Sequence, residues 1–126
     1  MERAGVRVLL GNLPPVMAIG LARILIEDGA DVIGDERHPS ALVTATDRLR
    51  PEVVVLDVGA EGAQQLAAHV QRVSPGTKVV LCGSGEDSID VLDPGAANGS
   101  RRVDIDASEG LRLELAATQE APRPGG

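Results

Sequence analysis

Residues 49–58 read Leu-Arg-Pro-Glu-Val-Val-Val-Leu-Asp-Val, a turn followed by five apolar positions around a single aspartate, Asp57. A run this short, rich in β-branched residues and without polar alternation, is expected of a strand buried on both faces. Three further runs share its character: VRVLL at 6–10, DVIG at 31–34 and KVVLC at 78–82. Helical spacing fills the intervals. Met17, Leu21 and Ile24 follow Pro14-Pro15, Leu42, Ala45 and Leu49 follow Ser40 as the expected N-cap, and Ala63, Leu66, Ala67 and Val70 keep the i, i+3, i+4, i+7 pattern. Strand and helix alternate four times by residue 84, so right-handed crossovers onto a parallel sheet follow.

The rest of the chain is less regular. Residues 84–109 hold seven acids against two bases, Arg101 and Arg102, and Pro94-Gly95 and Asn98-Gly99-Ser100 mark loops. A fifth strand is expected over Arg102–Asp106, then a helix capped by Ser108 and reaching about Ala117. The alternation of Leu111, Leu113 and Leu115 has a strand period and competes with that helix. The expected architecture is a doubly wound, three-layer α/β sandwich, (βα)5, with a five-stranded parallel sheet over residues 1–119. Residues 120–126, EAPRPGG, have linker composition and are expected to be a flexible tail.

Composition narrows function further. The chain has 126 residues, a formal net charge of −7 and no phenylalanine, tyrosine or tryptophan. Negative charge opposes binding to phosphate backbones and anionic lipid, and the lack of aromatics removes base stacking and membrane-interface anchoring. Neither nucleic acid nor membrane is therefore an expected partner, and in 126 residues one domain leaves no room for a helix-turn-helix unit. Cys82, His38 and His69 are too few for a structural zinc site, and no leader is apparent, so the cytoplasm is the expected compartment.

From Val6 to about Ala117 the chain resembles a response-regulator receiver domain. The likeness rests on VRVLL with its proline-containing helix start, on LRPEVVVLDV at 49–58 and on SPGTKVVL at 74–81. It implies a flavodoxin-like fold with a ligand crevice at the carboxyl ends of the strands. Position by position, it puts the phosphoacceptor at Asp57. The adjacent acids that hold Mg²⁺ fall on Asn12 and Leu13, the Ser/Thr falls on Gly83 with Ser84 next, and the lysine falls near Ile105. Of these elements only the acceptor aspartate has its residue, and no aromatic reporter exists. The resemblance thus implies a degenerate pseudo-receiver that does no catalysis and needs no cofactor or metal. Its expected action is contact with a signalling or transcription protein, with a homodimer through the receiver output face as one form. At Asp57 a backbone-capping role, a ligand contact and residual phosphorylation stand side by side. A small-ligand sensor or carrier on the same fold is the alternative function, since Asn12 and Leu13 leave the crevice more neutral. No dinucleotide loop, Ser/His/Asp set or paired carboxylate marks an enzyme.

Overall fold

A computed structural model describes residues 5–83, 87–95 and 100–120. The first strand, β1 (Arg7–Gly11), leads to α1 (Pro15–Glu27), and β2 (Asp31–Glu36) to α2 (Pro39–Leu49). Then come β3 (Val53–Asp57), α3 (Ala63–Val73), β4 (Lys78–Cys82), β5 (Ile89–Leu92), β6 (Arg101–Val103) and α4 (Ala107–Glu120). All lie in one sheet of order β2-β1-β3-β4-β5-β6. Pairings among the first four strands are parallel, as the alternation of strand and helix predicts.

Successive side chains along each central strand go to opposite cores. Val8 and Leu10, Val53 and Val55, and Val80 and Cys82 pack with Leu21 and Leu25 of α1 and Leu111 and Leu115 of α4. Leu9, Val54, Leu56, Val79 and Leu81 pack instead with Leu42 of α2 and Leu66 and Val70 of α3. Two covered faces explain why the strands are apolar throughout. Gly11 is required by α2: a Cβ there would come within 2.5–3.1 Å of three Leu42 side-chain atoms.

The sheet departs from five parallel strands after Cys82. Both β5 and β6 join antiparallel to their predecessors, so a hairpin replaces the last crossover. Only six residues separate Cys82 from Ile89, whereas a parallel crossover needs about a dozen. The strand expected over 102–106 is the edge strand β6, at Arg101–Val103. Asp106, not Ser108, caps α4, with its Oδ1 accepting the Glu109 N–H at 3.0 Å. Leu111 and Leu115 are buried and Leu113 is exposed, so the helix period prevails over the alternation. At the start of α2, His38 occupies the cap position and no side chain supplies a cap hydrogen bond, so Ser40 does not fill that role. α4 continues through Glu120; the rest of the expected tail, 121–126, lies outside the described residues.

Charge fastens the hairpin and α4 to the parallel part. Glu114 is buried and accepts from Lys78 Nζ at 3.0 Å and from Arg101 Nη2 at 2.9 Å. Arg101 also donates to Asp93 at 2.6 and 3.0 Å. The Gln71 side-chain amide donates to the carbonyls of Thr77 and Leu92 at 3.0 and 2.9 Å, tying α3 to the end of β5. Burial pushes the Glu114 carboxyl up, but hydrogen bonds from Arg101 and Lys78 and their positive charge outweigh it, leaving it below its ordinary range. The Arg101 hydrogen bond likewise holds Asp93 low, and Arg101 itself is raised by both carboxylates.

Removing one member of a buried ion cluster leaves its partner uncompensated. Glu114→Ala is expected to cost about 3–5 kcal/mol in urea unfolding. Because both carboxyls titrate lower folded than unfolded, their stabilisation is complete above the unfolded carboxylate pKa of about 4. It is lost as pH falls through the depressed native values. Acid titration of Glu114→Gln, followed by circular dichroism, is expected to show a smaller loss over that window than the parent chain.

Candidate functional site

The crevice forms where β1, β3 and β4 end together. Parallel pairing sets Gly11 beside Leu56 and Asp57 beside Cys82, so the turns after these strands share one edge of the sheet. Asp57, half-buried, ends β3, and its Oδ1 accepts the Gly59 N–H at 2.9 Å. This is the local turn that aspartate favours. The backbone adds two bonds: Val58 N–H donates to the Cys82 carbonyl at 2.8 Å, and Ala60 N–H to the Asp57 carbonyl at 3.2 Å. The backbone-capping role read from sequence for Asp57 is therefore present in the geometry.

The other expected positions are brought to this edge unequally. Asn12 follows β1 with a left-handed backbone, φ +51°, and its N–H donates to the Glu36 carbonyl at 2.8 Å. That conformation is one asparagine tolerates better than most residues. Leu13 turns inward and is a buried member of the core beneath α1 and α4. Gly83 is buried just after β4, and Ser84 lies outside the described residues. Ile105 follows β6 and packs against the α1–α4 core. Because β5 stands between β4 and β6, Ile105 is displaced one strand outward from where a fifth parallel strand would end.

Mg²⁺ takes oxygen ligands, commonly carboxylates. Here the two positions beside Asp57 offer an amide side chain and an aliphatic one buried in the core. Among the described residues no three His, Cys, Asp or Glu side chains come together as a metal site. Among the described residues the donor set at Asp57 does not fit a divalent cation.

Cys82 stands beside Asp57 on the neighbouring strand, in the closed core. Burial, helped by the negative charge of Asp57, pushes its thiol up to about 12. A thiol held neutral and enclosed is a poor nucleophile. Native protein at pH 8 is expected to resist a maleimide reagent, with full labelling of Cys82 only in denaturant. Intact mass reads both states.

The strand order, with helices on both faces and an aspartate at the strand ends, defines a receiver-like α/β domain. The chain is similar to the solved signal receiver domain of the response regulator NarL from Mycobacterium tuberculosis. The two share 27% sequence identity with a TM-score of 0.56, over 67% of this chain and 70% of that one. No family model matches the sequence, and neither does any curated protein. Among the described residues no helix is long and apolar enough to cross a membrane.

Proposed function

We propose that this chain is a signal-transduction module that acts through protein contact and transfers no phosphoryl group at Asp57. The receiver-like fold supports the signalling role. The observation that carries the rest is Leu13: a position that the resemblance assigns to a metal-holding acid is filled by a core side chain. Restoring a carboxylate there would bury a charge.

Phosphoryl transfer depends on positioning and on neutralising charge spread over the equatorial oxygens. Among the described residues Asp57 has no carboxylate partner to hold a metal, and Gly83 and Ile105 bring neither hydroxyl nor ammonium. One of the Asp57 oxygens already accepts a backbone N–H. Among the described residues, the positions that the resemblance assigns to the pocket bring no cation to compensate a phosphoryl group at Asp57. With the chemistry removed, the retained fold has contact surfaces as its means of acting. Its partners in this reading are cytoplasmic proteins of a signalling or transcription pathway, and the net charge of −7 disfavours direct contact with nucleic acid.

The test is incubation with a small-molecule phosphodonor and Mg²⁺, followed at once by intact mass. The expected result is an unchanged mass. A gain of one phosphoryl group that disappears in Asp57→Ala overturns the proposal.

A further inference from the structure

Between α1 and the start of α4 the surface opens into a groove of about 790 Å³. That volume falls within the roughly 300–1,000 Å³ of small-molecule sites. Its α1 wall is apolar: Leu21 is buried, and Met17 and Ile24 are half-buried. Gly20 lies on the same wall, and a Cβ there would meet nothing within 4 Å, so the groove has room in front of it. The far side is acidic, with Asp106 and Glu109 at the start of α4 and Asp87 nearby. Among the described residues no lysine or arginine lines the groove. A ligand read from the sequence sits beside Asn12 and Leu13; since Leu13 is packed into the core, the open volume lies along α1 instead.

We infer that this groove binds a small organic cation with an apolar body, which lies on Met17, Leu21 and Ile24 while its positive group meets Glu109 and Asp87. The inference goes beyond the contact reading and does not depend on it. A mostly apolar lining with a few convergent polar groups is the make-up of a small-molecule site. Charge then selects the ligand. Among the described residues Asp87, Asp106 and Glu109 form no ion pair. Asp106 is engaged in capping α4 through its Oδ1, where it offsets the positive end of the helix dipole. Glu109 and Asp87 are left to set the field at the groove. An anion would be repelled there, and a neutral ligand covering the carboxylates would take them from water with nothing in return.

The rest of the molecule agrees with a cationic ligand. A net charge of −7 raises the local concentration of cations around the chain. With no aromatic side chain to offer a π face, recognition of the positive group falls to the carboxylates, and it weakens as salt screens them. The flexible thioether of Met17 adapts the wall to apolar bodies of differing shape, so the site takes a class of ligand rather than one outline.

The probes are berberine, an apolar cation, and 8-anilinonaphthalene-1-sulfonate, an apolar anion. Both fluoresce when taken out of water, and a chain without phenylalanine, tyrosine or tryptophan adds no aromatic emission of its own. Titrated into the full chain at low salt, berberine is expected to bind saturably, at least about tenfold more tightly than the anion. Gly20→Leu puts a good helix former's side chain into the groove. It is expected to weaken berberine binding at least about tenfold while far-ultraviolet circular dichroism stays unchanged. Asp87→Asn combined with Glu109→Gln, which leaves the Asp106 cap in place, is expected to weaken it about tenfold at low salt and by less at about 0.5 M salt. Absence of saturable berberine binding overturns the inference. So does binding that Gly20→Leu or the double substitution leaves unchanged, or an anion held as tightly as the cation. None of these results bears on phosphorylation: a phosphoryl gain at Asp57 defeats the contact reading alone, and a groove that ignores berberine defeats the ligand site alone.

Discussion

A buried carboxylate with two cationic partners organises the C-terminal third of this protein. Glu114 is shielded from water and stays ionised because Lys78 and Arg101 both reach it. Those partners come from the beginnings of β4 and β6, and Arg101 carries the link on to Asp93 at the end of β5. One corner of the sheet is thus fixed by charges from three strands and a helix. Apolar burial holds β5 through Ile89 and Val91 but contributes little at β6, where Arg101 and Arg102 are exposed and only Val103 is partly covered. Exposed arginines on that edge also discourage pairing with another chain.

The opposite end of the sheet is built on the reverse principle. Asp57 has a strand neighbour, Cys82, whose thiol is kept neutral, and it takes its hydrogen bond from the backbone of its own turn. Leu13, drawn into the core, ties the β1–α1 connection to hydrophobic packing. Charged groups are concentrated where they fasten elements together, while the crevice keeps a carboxylate occupied by its own turn. This division is the physical basis for reading the domain as a scaffold for contact.

The first four strands and three helices were legible because parallel strands under two layers of helix must be apolar on both faces, as VVVL at 53–56 and KVVLC at 78–82 are. The hairpin was obscured because β5, Ile-Asp-Val-Leu, carries an acid and is flanked by others. The short spacing between Cys82 and Ile89 was the available signal against a fifth crossover. Asp106 and Ser108 are both competent caps, and the backbone path alone decides between them. At the site, the sequence marked Asp57 as the aspartate that ends a buried strand. It did not reveal that Leu13 is a core residue or that Ile105 lies a strand further out, since both depend on where the chain goes after β4. The exposed apolar side chains of α1 were latent in its composition: Val16, Ile19 and Ile26 fall off the stripe formed by Met17, Leu21 and Ile24, and a helix apolar on both sides has more such surface than one core can cover.

The exchange of a crossover for a hairpin alters the order in which the sheet can assemble. Val8 must find Val53, 45 residues away, before β1 and β3 can zip together, whereas Val91 meets Arg101 only ten residues on. Closing the longer loop costs more chain entropy, and pairings distant in sequence slow folding. The strand pairings of the β4–β5–β6 meander, Leu81 with Asp90 and Val91 with Arg101, join near neighbours. Those pairings carry a smaller closure cost than the pairing of β1 with β3, which waits for distant segments to meet.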